Sequence, residues 1–256
     1  MDLTNAQVLI TGGSEGIGLG LAARFLAAGS KVLITGRSAE KLEKAAHTYP
    51  GLQTFVNDIG QPAQRETLAR HIQAVMPRLN ILINNAGIQR RIALAADHAP
   101  WEERQAEIDI LLSAPVHLNH LLIPFILAHS QPALLVNVTS GGAYIPQAFA
   151  PVYSACKAAL HHYTLTLRHA LAGSSCRVAE LIPPAVQTAL AGPGASHGAA
   201  LDNFCDAVFP KLLDDSITEV GYGPTENLQI TLNGQPQADL FAASAARFPV
   251  LTYTAR

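Results

Sequence analysis

Short apolar runs alternate along the chain with segments in which apolar residues recur at helical spacing. Several runs consist almost entirely of Val, Ile and Leu, the composition of strands that helices cover on both faces. The runs predict parallel strands at residues 7–11, 31–35, 52–56, 80–83, 133–138 and 177–181. The segments between them predict helices at residues 17–28, 39–46, 63–75, 101–128 and 152–172.

This alternation of strands and helices predicts a doubly wound α/β sheet with right-handed crossover connections. No internal repeat and no linker rich in glycine and proline divides the chain. We therefore expect residues 1–256 to form a single domain around a parallel sheet of about seven strands, the last of them at residues 217–220. Near the end, Asn233-Gly234 predicts a turn.

The pattern loosens after Val186, where glycine and proline become frequent. Residues 187–200 are predicted to form a loop, and residues 201–213 a short helix beyond it. We expect segment 187–213 to shape a substrate pocket that is mostly apolar.

Composition and charge narrow the choice of partners. A formal net charge of -2, with 14% charged residues, provides no basic surface for a nucleic-acid backbone or an acidic membrane. Residues 110–156 contain no Asp, Glu, Lys or Arg, but Pro115, Pro124 and Pro132 interrupt them. No apolar run of about 20 residues is left to cross a bilayer. A small molecule is the expected partner, with neither nucleic acid nor membrane.

The cysteines and the start of the chain bear on the cellular compartment in which the protein is expected. Cys156, Cys176 and Cys205 are not clustered and lack the spacing of a zinc or redox site, so we expect reduced thiols. The opening MDLTNAQVLITGG enters a predicted strand without the features of a signal peptide. A cytoplasmic protein is expected. His117 and His120 have helical spacing, but no neighbouring Cys, Asp or Glu completes a ligand set, so no metal is predicted.

A glycine-rich segment directly follows the first predicted strand. It reads Thr11-Gly12-Gly13-Ser14-Glu15-Gly16-Ile17-Gly18 and leads into a helix. Glycines at such a turn let the backbone approach a pyrophosphate, whose charge the free N–H groups and the dipole of the helix stabilise. The glycines alone are also compatible with a merely tight connection. The residues that this interpretation assigns to a dinucleotide site are Gly12, Ser14, Glu15, Gly16, Ile17 and Gly18.

The end of the second predicted strand bears on the choice of coenzyme. An acidic residue there usually binds the ribose of NAD, whereas this chain has Thr35-Gly36-Arg37. Arg37 precedes Ser38, a candidate N-cap, and a cation at a helix N-terminus is unfavourable unless an anion lies beside it. We therefore expect NADP, with NAD as the alternative. A solvated surface arginine is the other interpretation, and Glu15 favours it by adding negative charge nearby.

Tyr153, Lys157 and Ser140 form a candidate catalytic set. Tyr153 and Lys157 lie four residues apart in a predicted helix and therefore share a face. A nearby ammonium is expected to lower the pKa of the tyrosine from about 10 and so suit it to acid–base chemistry. Ser140, at the end of a predicted strand, can donate a hydrogen bond to a substrate oxygen. Taken one at a time, each has an ordinary alternative: Tyr153 and Lys157 could be a surface contact, and Ser140 could simply form a turn.

Taken in order, the motifs resemble those of the short-chain dehydrogenase/reductase family over residues 5–190. They are the glycine segment, Asn84-Asn85-Ala86-Gly87, Ser140, Tyr153-Ser-Ala-Cys-Lys157 and Pro183-Pro184-Ala-Val186-Gln-Thr188. The resemblance implies a Rossmann fold and hydride transfer, with Tyr153 as acid/base, Lys157 bound to the nicotinamide ribose and Ser140 orienting the substrate. It further implies coenzyme contacts for Asp58, Ile59, Asn85, Ala86, Gly87, Pro183, Val186 and Thr188.

Two positions depart from the family pattern. The family usually has an asparagine in the long helix before the catalytic serine, where it helps to hold a water linked to the lysine. Leu111 stands at the aligned position, so proton resupply through Lys157 is in question. At the other end, Glu219-Val220-Gly221 replaces the usual glycine-rich finish in a pattern similar to the DltE-like branch.

Two functional hypotheses follow. The first is an NADPH-preferring reductase or dehydrogenase of a small, largely uncharged carbonyl or alcohol. The second, motivated by Leu111, is a coenzyme-binding protein with weak or no catalysis, such as a redox-sensing regulator. Arg90 and Arg91, near the expected cleft, are either solvated loop cations or contacts for an anionic substrate. Excess apolar surface on helices 101–128 and 152–172 fits a subunit interface. The family resemblance implies that these helices pair between subunits, in a homodimer or homotetramer. The alternative is that they simply face the sheet.

Overall fold

The apolar runs form the central sheet of the protein, described here from a computed structural model that covers residues 1–192, 197–228 and 235–249. Most of their side chains are buried because helices cover both faces, whereas the edge strand Gln53–Val56 is largely exposed. The strands are parallel, in the order β3-β2-β1-β4-β5-β6-β7. They are β1 Gln7–Ile10, β2 Lys31–Gly36, β3 Gln53–Val56, β4 Ile81–Asn84, β5 Ala133–Val138, β6 Cys176–Ile182 and β7 Glu219–Gly221.

The helices divide between the two faces of the sheet. On one face, α1 and α7 pack through side chains such as Phe25 and Phe204, and on the other α3 and α5 pack through Leu68 and Leu122. The helices are α1 Gly16–Ala27, α2 Ala39–Thr48, α3 Pro62–Val75, α4 Trp101–Ile108, α5 Ala114–Leu127, α6 Pro151–Ala170, α7 Leu201–Leu213 and α8 Gln235–Arg247. The predicted doubly wound α/β fold is confirmed.

Two predicted elements differ from the structure near the end of the chain. The last strand begins at Glu219 rather than at residue 217, because Ile217 closes a turn by donating its N–H to the carbonyl of Asp214. The predicted loop after Val186 contains a short 3₁₀ helix, Ala189–Ala191, and a bridge between Val186 and Ala199. The predicted Asn233-Gly234 turn lies outside the described residues.

The long helix predicted at 101–128 is interrupted. A π-helical turn, Asp109–Ser113, separates α4 from α5, and the N–H of Ala114 reaches the carbonyl of Asp109 five residues back. Pro115 has no N–H to offer the carbonyl of Leu111, which weakens regular α-helical bonding at this point. A π turn of this kind is typical of functional sites.

The same stretch, Trp101–Leu127, is long and apolar enough by composition to cross a bilayer. In this structure it covers one face of the sheet, and α5 packs against α3 and β5. Its inner residues Leu118, Leu122 and Ile126 are fully buried in that layer. These contacts are those of a core helix.

The sheet order creates a crevice at its carboxyl edge. β1 lies between β2 and β4, so the chain leaves the carboxyl ends of β1 and β4 toward opposite faces. In open α/β sheets, ligands bind at such a switch point. The loops after the strands β1 to β6 reach this edge, and together with α6 they carry the residues that the sequence singled out.

Candidate active site

The turn after β1 is built around glycines that no other residue can replace without strain. Gly12 has a φ of +63°, and a Cβ placed there would lie 2.6 Å from the Cα of Ala86. Gly18, inside α1, is packed so closely that a Cβ would lie 2.5 Å from Nδ2 of Asn85. The turn therefore presses against the loop that follows β4.

Hydrogen bonds lock these two loops together. Oγ1 of Thr11 accepts from the N–H groups of Asn85, at 3.0 Å, and Ala86, at 3.1 Å. The side chain of Asn85 donates in return to the carbonyls of Thr11 and Gly12, at 3.0 and 2.9 Å. The Asn84-to-Gly87 segment is thus a fixed wall of the crevice rather than an ordinary turn.

The N-terminus of α1 faces the same crevice. Gly16 and Ile17 line it, no side chain caps the helix, and its first turn contains no acidic residue. The positive end of the helix dipole is therefore available to an anion. These features fit the pyrophosphate of a dinucleotide.

The end of β2 brings a group of charged residues to one end of the crevice. Arg37 is exposed and lines it, and Ser38 caps α2 by accepting from the N–H of Lys41 at 3.2 Å, as the sequence predicted. Nζ of Lys41 forms an ion pair with Glu15 at 2.8 Å. The negative charge of Glu15 is therefore offset, and Arg37 adds a positive charge. Sequence reasoning missed Lys41, although its position one turn beyond Arg37 was a usable signal.

Ser140, Tyr153 and Lys157 meet on the opposite wall. They are 8%, 5% and 4% exposed, and a hydrogen bond joins Tyr153 to Ser140. Nζ of Lys157 donates to the carbonyl of Val138 at 2.7 Å and lies 5.6 Å from the centre of the Tyr153 ring. Helical spacing and the end of β5 thus bring the predicted catalytic set together.

The pKa values of this set depend mainly on burial. Burial raises the pKa of Tyr153, the charge of Glu107 raises it further, and the hydrogen bond with Ser140 opposes both effects. Burial lowers the pKa of Lys157 to about 8. The sequence led us to expect a lowered tyrosine pKa, but desolvation of the phenolate outweighs the opposing effects in this structure.

Leu111 lies behind Tyr153 in the π-helical turn. It is fully buried, packs against Ala150, Tyr153 and Cys156, and would lie 3.3 Å from a Cβ at Gly87. The gap between Leu111, Asn84 and Lys157 has no volume for a water molecule. Oδ1 of Asn84, which lines this gap, is buried without a hydrogen-bond partner.

The crevice is a continuous cleft of about 1000 Å³. Of the predicted site residues, Gly18 alone does not line it, because Gly18 is buried under Asn85. The lining residues are Gly12, Ser14, Glu15, Gly16, Ile17, Arg37, Asp58, Ile59, Asn85, Ala86, Gly87, Ser140, Tyr153, Lys157, Pro183, Val186 and Thr188. Their shared location is established, and their roles remain predictions. Sequence reasoning missed the lining residues Thr139, Gln147 and Phe149, whose signals are only their nearness to Ser140 and Tyr153.

The two arginines after the Asn84-to-Gly87 segment have different environments. Arg90 forms ion pairs with Asp97 and Glu103, both at 3.1 Å, and so holds its own loop. The guanidinium of Arg91 lies 4.4 Å from the centre of the Phe149 ring and lines the cleft. Among the described residues, no group of three His, Cys, Asp or Glu is placed to hold a metal ion.

Comparisons with known proteins agree on one family. The sequence model described as short chain dehydrogenase matches residues 6–197. The chain is 45% identical over 190 residues to the uncharacterized oxidoreductase DltE of Bacillus subtilis (strain 168), which covers 74% of this chain and 75% of that protein. It is 30% identical over 232 residues to a serine 3-dehydrogenase of Agrobacterium fabrum, covering 90% of this chain and 92% of that one.

A solved structure is similar over nearly the whole chain. A short chain dehydrogenase from Burkholderia cenocepacia in complex with NADP has a TM-score of 0.81 at 24% identity. The match covers 98% of this chain and 100% of that chain. At this level of identity the likeness establishes the fold.

Proposed function

Because this chain belongs to the short-chain dehydrogenase/reductase family, in its DltE-like branch, we propose that Tyr153 moves the proton that accompanies hydride transfer between NADP(H) and a small carbonyl or alcohol. The protein is an oxidoreductase that uses a nicotinamide coenzyme. The buried contact of Ser140, Tyr153 and Lys157 on the wall of the cleft carries the proposal. The regulator hypothesis is not favoured, because the relatives are named oxidoreductase and dehydrogenase.

The described residues fit a dinucleotide along the cleft. The uncapped N-terminus of α1 and the backbone around Gly12 suit a pyrophosphate, while Asp58 and Ile59 line the end near Arg37. Lys157 lies beside Val138 and the Tyr153 ring, and Thr188 lies beside Gly16, where a Cβ would be 3.3 Å from its side chain. A bound nicotinamide coenzyme supplies or accepts the hydride.

Each catalytic side chain has one task in the proposed reaction. In the direction of reduction, the Tyr153 hydroxyl gives its proton to the carbonyl oxygen as negative charge develops there. Ser140 donates a hydrogen bond to the same oxygen and so stabilises that charge. Lys157, held by the Val138 carbonyl, places a positive charge near the phenolate that forms.

The charge at the end of β2 supports NADP(H) over NAD(H). Arg37 and Lys41 both line the cleft, and Glu15 is paired with Lys41. A 2′-phosphate placed there would meet cations rather than the carboxylate that a 2′-hydroxyl requires.

We expect Arg37→Ala to weaken NADPH binding about tenfold, or about 1.4 kcal/mol, and to leave NADH binding nearly unchanged. Fluorescence titration measures both, with Arg70→Ala as a control outside the cleft; equal losses for the two coenzymes would refute this assignment.

The other end of the cleft bears on the substrate. The cationic side chains lining that end, among the described part of the chain, are Lys157, Arg91 and Arg247, and the imidazole of His197 also lines it. The lining carboxylates, Glu15 and Asp58, lie at the coenzyme end. The sequence-based expectation of a largely uncharged substrate therefore needs testing against acidic carbonyl compounds. The relative from Agrobacterium fabrum is named for serine, which carries a carboxylate.

Replacing Tyr153 tests the proposal. Tyr153→Phe keeps the ring and removes the proton donor, so we expect turnover to fall by about 10² to 10⁴-fold. Tyr163→Phe is the matched control, because Tyr163 lies on the same helix and accepts a weak hydrogen bond from Asn119 outside the cleft. NADPH oxidation with a panel of neutral and acidic aldehydes and ketones measures the rates. Full turnover by Tyr153→Phe would overturn the mechanism.

A further inference from the structure

A buried carboxylate lies beneath the candidate active site and takes no part in the mechanism above. Glu180, on β6, is fully buried. One of its oxygens lies 2.8 Å from Nδ1 of His161, and the other accepts from Oγ1 of Thr139 at 2.5 Å and from the hydroxyl of Tyr144 at 3.4 Å. A buried charge is costly unless it is paired and hydrogen-bonded, and Glu180 meets both conditions.

The carboxylate belongs to a polar row that crosses the sheet. Asn84, Asn137, Glu180 and Glu219 are register partners on the neighbouring strands β4 to β7. A row of this kind under a helix is unusual, because the helix-facing side of a sheet is normally apolar.

Helix α6 meets this row with polar side chains of its own. His161 binds Glu180, Thr164 accepts from Asn137 at 2.9 Å, and Arg168 pairs with Glu219 at 3.4 Å. These residues follow Lys157 at helical spacing and so share its face. The helix that carries Tyr153 and Lys157 is therefore seated on the sheet by directional contacts.

Glu180 is connected to the reacting groups through one short segment. Thr139, which it holds, lies between Val138, whose carbonyl binds Lys157, and Ser140. Its negative charge also opposes the effect of burial on the pKa of Lys157. Both the position and the charge of the lysine therefore depend on this carboxylate.

We propose that Glu180, paired with His161, is a positioning residue of the proposed active site, which holds the Val138-to-Ser140 segment in place and sets a negative charge beneath Lys157. The inference rests on the proposed function, since it assigns Glu180 a role through Lys157 and Ser140. Glu180 itself touches neither coenzyme nor substrate in this scheme.

Other charges face the same groups. Burial raises the pKa of Tyr153 and of Cys156, and the charge of Glu107, from α4, raises both further; Lys157 is flanked by Cys156 on its own helix. The pKa of His161 is raised by Glu180 and by Glu219 on β7, while Arg168 on α6 and burial lower it. Of these carboxylates, Glu180 is the one whose charge raises the pKa of Lys157.

Glu180→Gln tests the inference, because it removes the charge and keeps the shape. Without the nearby carboxylate the pKa of Lys157 is expected to drop below about 8, so the lysine loses its proton at lower pH. The alkaline limb of the turnover profile should move down by about one pH unit, which makes turnover at pH 8 about fivefold lower. NADPH binding at pH 6, where Lys157 is charged in both proteins, should stay near the wild-type value.

Three further variants separate charge from position. Glu219→Gln is the control, since it removes a carboxylate near His161 that does not contact Thr139, and its profile should match wild type. Thr139→Val removes the hydrogen bond to Glu180 and keeps the charge of Glu180. Turnover should therefore fall, while the pH of the alkaline limb should stay at its wild-type value. Glu180→Asp restores the charge and should return the limb toward the wild-type position.

The outcomes distinguish this inference from the proposed function. A folded Glu180→Gln protein, checked by circular dichroism, with a wild-type profile would overturn the inference while Tyr153→Phe can still be inactive. Full turnover by Tyr153→Phe would overturn the proposed function itself. If Glu180→Gln does not fold, the turnover of Thr139→Val is compared with that of wild type instead. Unchanged turnover in Thr139→Val would then count against the inference.

Discussion

At the scale of single residues, Gly12 is a position in the site where a side chain is not tolerated. Gly12 adopts a left-handed conformation and contacts Ala86 so closely that a methyl group would lie 2.6 Å from its Cα. The sequence predicted this glycine from the turn that it must make. The close contact with the loop after β4, which also excludes a side chain at Gly12, is visible only in the folded structure.

We expect Gly12→Ala to weaken NADPH binding at least about tenfold, or about 1.4 kcal/mol, because the added methyl group pushes the two loops apart. Gly51→Ala is the control. Gly51 is also left-handed, with a φ of +93°, but a Cβ there meets nothing within 4 Å. It should lose about 1 kcal/mol of stability and bind NADPH normally. Isothermal titration and thermal unfolding measure the two quantities, and equal binding losses would contradict the crowding argument.

Leu111 stands where the family resemblance leads us to expect an asparagine. It fills the space between Asn84, whose side-chain oxygen has no partner, and Lys157. We expect Leu111→Asn to admit a water there and raise steady-state turnover about two- to tenfold if proton resupply limits the rate, without altering coenzyme affinity.

Leu111→Ala separates space from chemistry, because it opens the same gap without adding an amide. Turnover and its solvent isotope effect should change in Leu111→Asn and much less in Leu111→Ala. An unchanged or lower rate in Leu111→Asn would count against the proton-relay account.

At the scale of elements, the position of α6 decides the active site. Periodicity predicted this helix and the shared face of Tyr153 and Lys157. It gave no sign that His161 would bind a buried carboxylate on β6, because sequence spacing does not show which strand a helix faces.

The pair of His161 and Glu180 should make stability depend on pH. The hydrogen bond to Glu180 raises the pKa of His161 in the folded protein. Its contribution to stability is therefore fully present below the unfolded pKa of about 6.5, and it is lost as pH rises through the higher folded value. The difference in free energy of unfolding between wild type and His161→Asn should be largest near pH 5.5 and shrink toward pH 9.

Urea unfolding at a series of pH values measures this difference. His162→Asn, at the exposed neighbouring position on α6, controls for the loss of an imidazole. A difference for His161→Asn that grows with pH would contradict the assignment.

At the scale of the whole molecule, the outer faces of α5 and α6 remain partly open. Leu165 is 38% exposed, and Leu121 and Phe125 are half-buried. The sequence-based proposal of a homodimer or homotetramer through these helices accounts for the apolar surface.

Leu165→Arg should disrupt this association, because it places a charge on the apolar face. We expect the variant to shift to the monomer mass in light scattering coupled to size-exclusion chromatography. Val56→Arg, at a more exposed apolar position on the edge strand β3, should keep the wild-type mass. A monomeric wild-type protein would refute the proposal.

The sequence by itself determined the strand order along the chain, the helices between the strands, and the glycine turn and catalytic set of the cleft. It did so because burial periodicity, glycine turns and the spacing of Tyr153 and Lys157 are local properties of the chain. The tertiary structure alone decided how distant segments meet. It paired Lys41 with Glu15, placed Glu180 under Thr139, and filled the space beside Lys157 with Leu111. These contacts join residues from different strands and helices, and their distances and desolvation arise only when the sheet is assembled.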